Sequence, residues 1–371
     1  MDYKEQYKLK TNPFRITPSI NSEEVVWAGF PDLKQQLVER IKYSLQIPNS
    51  SLVLNWGEYG SGKTHSALYF SNETILAKIA KESKKPSPFP INLLLPKGKS
   101  PVHDFFISII DGIKMEPLRQ KFKDDLEGLK DFIKLNSSNE QLNNIIFQIF
   151  NSEIEIGYLK QYLYGTLSKS DLKRDLEEYG IFRFLGKSDD YVKFISLFFL
   201  CLTYNQKHYS SVIFWIDEFE DIQTLTSSSR DDVNNFLREL INNTPNYLLL
   251  FLNFTLSPID SVEDISKHLS SAVLDRVRKK IEFKQPTLEE LKLYINDLLN
   301  NCGFRTDTTD DLYYPFTEEG IEFVEEKLGM VSLRRYNETF SILLDIANNK
   351  KVERIDKDFI EEYESEWIGW S

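Results

Sequence analysis

An α/β fold is predicted: a parallel sheet carrying a glycine-rich loop, with a helical insertion and a small all-helical C-terminal lid domain. Three observations predict it. Four short apolar runs of strand character, Ser51–Trp56, Ile91–Leu95, Val212–Ile216 and Tyr247–Leu252, recur along the 371 residues with helical patterns between them. Continuous apolar runs separated by helices belong to a parallel sheet covered on both faces. A glycine-rich octapeptide follows the first run and opens a helix, and from Pro286 onward only helical periodicities remain.

The elements follow in order. The start, MDYKEQYKLK, has no apolar centre and is no secretory signal. Asn12-Pro13-Phe14 through Trp27 mixes apolar residues with turn formers and is expected to wrap the core. Leu33, Leu37, Ile41 and Leu45 have helical spacing, so residues 1–50 read as a wrap and a helix ahead of a core over 51–285. The interval from Leu95 to Val212 is too long for one crossover. It holds an amphipathic stretch, Pro101–Met115, the charged stretch Glu116–Lys134 and a loop at Asn136-Ser137-Ser138-Asn139. Residues 116–190 are therefore read as an inserted helical subdomain. Tyr191–Tyr204 is the most apolar stretch, yet it is too short to span a bilayer and carries Lys193, so a buried helix is expected. Ile281–Phe283 is a candidate fifth strand. Thr287-Leu288-Glu289-Glu290 forms a capping box that launches a helix to Leu299. Thr317–Leu328, Leu333–Asn348 and Lys357–Tyr363 complete a helical lid over 286–371.

Composition narrows the class. The hydrophobic fraction of 41% is that of a soluble globular protein. Two cysteines, Cys201 and Cys302, make no disulfide framework and no C-x-x-C pair, which suits a reducing cytoplasm. A net charge of -12 argues against a surface that binds nucleic acid everywhere, while leaving room for local basic groups at Arg276–Lys280 and Arg334-Arg335.

The octapeptide Gly57-Glu58-Tyr59-Gly60-Ser61-Gly62-Lys63-Thr64 is a complete Walker A loop, set between a strand and the helical start His65-Ser66-Ala67. Its glycines let the backbone wrap so that several N–H groups converge on phosphate oxygens. Lys63 then reaches the β- and γ-phosphates, and the Thr64 hydroxyl binds Mg²⁺. His65 adjoins the loop but has no partner in view for general-base work. The strand Ser211–Ile216 ends in Asp217-Glu218, the form of a Walker B motif. Successive strand residues face opposite ways, so the two carboxylates divide the work. Asp217 is expected to hold the Mg²⁺ shell with Thr64, and Glu218 to activate the water that attacks the γ-phosphate. ATP and Mg²⁺ are thus the expected cofactors.

With both motifs in place, most of the chain resembles the AAA+ superfamily of ATPases. The resemblance implies a polar sensor at the end of Tyr247–Thr255, either Asn253 or Thr255, with Asn253 favoured because it directly follows the apolar run. It implies an arginine finger, offered to a neighbouring subunit's nucleotide, in Leu274-Asp275-Arg276-Val277-Arg278, where spacing does not choose between Arg276 and Arg278. It also implies a second sensor at the lid helix that follows Gly329-Met330-Val331-Ser332, with Arg334 over the phosphates and Arg335 as the alternative.

The Asn-Pro-Phe opening and the single ATPase-plus-lid layout look like the branch of origin-recognition initiators and transposition ATPases. Such initiators carry a winged helix after the lid, for which no room is expected before Ser371, and Trp27-Ala28-Gly29-Phe30-Pro31 stands where a basic residue is usual. A looser similarity, through Tyr164-Gly165, Gly180-Ile181 and Trp215–Glu220, is to ATP-binding proteins of BREX-type phage-defence islands. The implied protein hydrolyses ATP within a homo-oligomer or a mixed AAA+ assembly and moves a protein partner. DNA is reached through partners or the assembled oligomer, and no membrane is involved. The competing expectation is a STAND-like switch that binds ATP, turns over rarely and recruits an effector. A small-molecule kinase fits the loop but not the acidic pair with a helical lid.

Overall fold

The computed structural model describes residues 3–15, 25–257 and 262–368. Among them, five strands form one parallel sheet: β1 (Ser51–Gly57), β2 (Phe89–Leu94), β3 (Val212–Asp217), β4 (Leu248–Thr255) and β5 (Val277–Phe283). Their spatial order is β2-β3-β4-β1-β5. The run at Ile281–Phe283 extends back to Val277 as β5, whose exposed Arg278, Lys279 and Lys280 suit the edge it occupies.

Alternation divides the strands between two cores. Leu52 and Leu54 of β1, Phe214 and Ile216 of β3, and Leu250 and Leu252 of β4 join the larger cluster. Val53, Trp215, Phe251, Ile281 and Phe283 face the other way, onto a smaller cluster that includes Leu37, Ile41, Ala67 and Phe70. Trp215 and Phe251 are register partners on β3 and β4, and their rings stack at 3.8 Å.

The interval between β2 and β3 is helical, with helices at Met115–Phe122, Leu126–Asn136, Glu140–Phe150, Ile156–Leu163 and Lys169–Asp175. Its apolar residues are continuous with the larger core of the sheet. The reason is the helix Ser188–Leu202, nine of whose fifteen residues are buried, so that it faces apolar neighbours nearly all round. It contacts Pro101–Gly112 and Ser227–Asn243, which cover the sheet, and the inserted helices at Leu126–Asn136 and Glu140–Phe150. No helix among the described residues is long and apolar enough to cross a membrane.

The C-terminal helices Leu288–Asn300, Glu318–Leu328 and Leu333–Lys350 build a third core. Thr287 and Glu290 close the capping box at its entry. Tyr7, Leu9 and Phe14 belong to this third core and not to the sheet. Hydrogen bonds fix that placement: Asn12 donates to Asp345 at 2.9 Å, and the Tyr7 hydroxyl donates to the Val352 carbonyl at 2.7 Å. Of the stretch expected to wrap the core, Phe14 thus packs on the lid, whereas Val25 and Trp27 pack against the smaller core of the sheet. Positions 16–24 of that stretch lie outside the described residues.

Candidate functional site

Parallel strands bring their C-terminal ends to one edge, where loops converge. Here the ends of β1, β3 and β4 open into a cleft of about 560 Å³, bounded by the Walker A loop, Val26–Ala28 and the lid residues Tyr294 and Arg334. Gly57 ends β1 against β5, where a Cβ would lie 2.4 Å from the Phe283 carbonyl oxygen. Gly60 and Gly62 have φ of 78° and 98°, the left-handed region in which glycine is at ease. A Cβ at Gly60 would also strike the Arg334 side chain at 2.7 Å, so this loop and the lid pack backbone to side chain. The Glu58 carboxylate accepts from the Gln285 amide, and Tyr59 stands exposed.

Lys63 is buried, and its ammonium donates to the carbonyls of Gly57 at 2.9 Å and Glu58 at 2.8 Å and to the Ser61 hydroxyl at 3.2 Å. Burial pulls its pKa down to about 8, against the opposing pull of Glu220, Asp217 and Glu58. Thr64 is exposed on the cleft wall, and Asp217 at the tip of β3 lines the same cleft but is buried, with only 3% of its surface reaching solvent. The His65 ring Nε2 lies 2.7 Å from the Val26 carbonyl oxygen, which can only accept, so Nε2 carries the proton. Burial holds that imidazole below its ordinary pKa, and the contact ties the loop helix to the Val26–Ala28 wall.

Glu218 has left-handed backbone, φ 52° and ψ 39°, which ends the strand and turns its side chain outward. About half of that side chain is exposed, and Lys97 sits 3.6 Å from its carboxylate while pairing more closely with Asp221 at 2.7 Å. Glu220 accepts the Thr255 N–H at 2.9 Å and lines the cleft.

The two candidate sensor residues of β4 are placed differently. Asn253 does not reach the cleft wall: it is fully buried, donating to Asp217 at 2.9 Å and lying 3.4 Å from the Lys63 carbonyl oxygen. Thr255, two residues on and on the same face, lines the cleft. The apolar run continues past Leu252 through buried Phe254, so the strand buries one more turn of the pleat than the run in the sequence shows.

The four candidate arginines separate by place. Arg334 lines the cleft, stacks over the Tyr59 ring at 5.1 Å, and its backbone N–H donates to the Gly60 carbonyl at 3.2 Å. Arg335 points into the lid, donating to the Trp367 carbonyl at 2.8 Å. Arg276 and Arg278 are not on this cleft. Arg276 is held by Asn242 at 2.6 Å, while Arg278 is exposed with a long contact of 3.5 Å to the Asp275 carbonyl.

No protein-family model matches the chain, and no curated protein matches its sequence. Solved structures do match. The arrangement of a five-stranded parallel sheet with a C-terminal helical domain is the fold these structures share. The chain is similar to the ORC1 protein of Aeropyrum pernix, solved in complex with DNA. The two are 13% identical with a TM-score of 0.50, over 97% of this chain and 70% of that one. It is also similar to the ORC2 protein of Aeropyrum pernix in its ADPNP–ADP complexes, at 14% identity and a TM-score of 0.53 over 92% and 68% of the two chains.

Proposed function

We propose that this chain binds ATP with Mg²⁺ and hydrolyses it, using the nucleotide state to reposition the lid and a partner in a DNA-linked process such as phage defence or mobile-element control. The observation that carries the reading is the meeting of Lys63, Thr64 and Asp217 in one cleft at the end of a parallel sheet. The residues fit the group. Gly62, where a Cβ would meet open space, keeps the loop free of a side chain at that point, and a carboxylate with a hydroxyl is the oxygen donor set that suits Mg²⁺. Bound Mg²⁺ supplies charge neutralisation on the β- and γ-phosphate oxygens.

The chain's own groups do the rest. Lys63 exchanges its loop carbonyls for phosphate oxygens, and the loop N–H groups orient the triphosphate. Glu218 takes the proton of the attacking water, which needs a carboxylate with access to solvent, and this one has it. Thr255, at the wall, is the group that reads the terminal phosphate. Arg334 couples the loop to the lid through Tyr59 and Gly60. Arg276 and Arg278, both off the cleft, are suited to a neighbouring subunit's site, which makes side-by-side assembly part of the proposal. The solved ORC proteins, one with DNA and one with adenine nucleotides, support a DNA-linked role.

A switch that binds ATP and rarely turns over is the second reading. The pairing of Lys97 with Glu218 favours it, because a carboxylate held by a cation is a poorer base. Steady-state ATP hydrolysis by the wild type and Glu218→Gln, with and without DNA, decides between the two. Turnover that vanishes in the variant while ATP binding persists supports hydrolysis. Binding without turnover in both chains supports the switch.

A further inference from the structure

One rung of the sheet is polar where its neighbours are apolar. Asn55 of β1 and Asn253 of β4 are register partners, and Asp217 follows the paired Ile216–Leu252 rung on β3. On the next strand Asn55 faces Ile281. The rung caps the stack of Trp215, Phe251 and Val53, which share its face one step back. Asn55 and Asn253 are both fully buried. The Asn55 amide donates to Asn253 Oδ1 at 2.9 Å, and the Asn253 amide donates to Asp217 Oδ1 at 2.9 Å.

The direction of this chain is fixed from one end. An ionised carboxylate can only accept, so Asn253 must turn its NH₂ toward Asp217 and its carbonyl toward Asn55. Asn55 must then present its own NH₂. That leaves Asn55 Oδ1 buried without a partner among the described residues. A buried acceptor without a donor costs stability, and an aliphatic side chain in this strand would avoid the cost. The sheet therefore carries an expense that packing does not require.

We infer that Asn55 is a positioning residue for the metal-binding carboxylate: it locks the Asn253 amide, which holds Asp217 aimed at the Thr64 side of the cleft. The inference rests on the nucleotide-site reading and adds a member to it that touches neither nucleotide nor metal. Without the Asn55 donor, Asn253 is free to turn over and set its carbonyl against Asp217. Asp217 then loses its orientation while the phosphate loop is untouched.

The test compares ATP affinity in Mg²⁺ with affinity in EDTA, by titration calorimetry on the full chain, for wild type, Asn55→Leu, Asn55→Asp, Asn253→Ala and the Asn55→Leu/Asn253→Ala double variant. Melting midpoints run alongside. In Asn55→Leu the Mg²⁺-dependent gain in affinity should fall at least tenfold, with EDTA affinity within about twofold of wild type and the melting midpoint within a few degrees. Asn55→Asp, the same shape with the opposite polarity, should lose the gain at least as fully. The double variant should lose no more than Asn253→Ala alone, since the two act through one contact. A normal Mg²⁺ gain in a folded Asn55→Leu, or additive losses in the double variant, overturns the inference. If Leu prevents folding, Asn55→Ala replaces it under the same criteria. No ATP affinity in the wild type, with or without Mg²⁺, is a different result: it removes the nucleotide-site reading and the inference with it.

Discussion

The floor of the cleft and its rim are built in opposite ways. On the floor, Lys63, Asp217 and Asn253 are buried, Lys63 held by the loop carbonyls and Asp217 by the Asn253 amide of the neighbouring strand. At the rim, Glu218 is half exposed beside one lysine, and Arg334 lies over the exposed Tyr59 ring. Buried hydrogen bonds between strands cannot shift without disturbing the core, whereas exposed ion pairs rearrange easily and are weak. On the proposed reading, the fold commits the binding of a phosphate chain in advance and leaves turnover adjustable by whatever docks on the rim.

The sharpest way to break this contrast is Glu218→Gln. It should lower turnover by about 10²- to 10⁴-fold and leave ATP affinity within a few-fold, read by phosphate release and calorimetry. A parallel loss of affinity would mean that Glu218 belongs to the floor. Lys63→Ala attacks the floor itself and should weaken ATP binding about 10- to 100-fold, the loss of a charge-assisted contact, with turnover at saturation harder to reach. A pH series refines the same point. Lys63 is an ammonium below its pKa of about 8 and neutral above it, so affinity of the free protein should drop roughly tenfold between pH 7 and pH 9. Binding above pH 8 should then take up a proton, detected as a buffer-dependent enthalpy, and Lys63→Arg should flatten the series. The smallest effect belongs to the rim: Lys97→Met should raise turnover about two- to five-fold at low salt, and the gain should shrink as salt rises. If the rate is unchanged at every ionic strength, Lys97 does not restrain Glu218.

Much of the floor was legible in the sequence because Walker loops and buried strands are local patterns. Glycines at fixed spacing and a run such as Val212–Ile216 announce themselves without knowledge of their neighbours. Asn55 does not. One polar residue inside Ser51–Trp56 reads as a blemish until the sheet order sets it beside Asn253, and that adjacency is produced by strands about 200 positions apart in sequence. Glu220 was hidden for a related reason, since its partner is the Thr255 N–H on a different strand. The packing of residues 3–15 on the lid was also out of reach. Tyr7 and Phe14 signal that they are buried, but side-chain type alone does not say against which core. Strand ends were approximate where the chain keeps burying residues past its most apolar run, as β4 does through Phe254.

One contact on the far wall of the cleft has a mechanical consequence. Gly29, at φ 60°, lies so near the helix Leu288–Asn300 that a Cβ there would sit 2.8 Å from the Tyr294 Cα, and its N–H donates to Asp297 at 2.9 Å. The turn that borders one end of the opening is thereby riveted to the same body that presents Arg334 at the other. With Val26 held to His65 of the loop helix, this turn joins the C-terminal helices to the sheet as well, so the span of the opening is set by both bodies together.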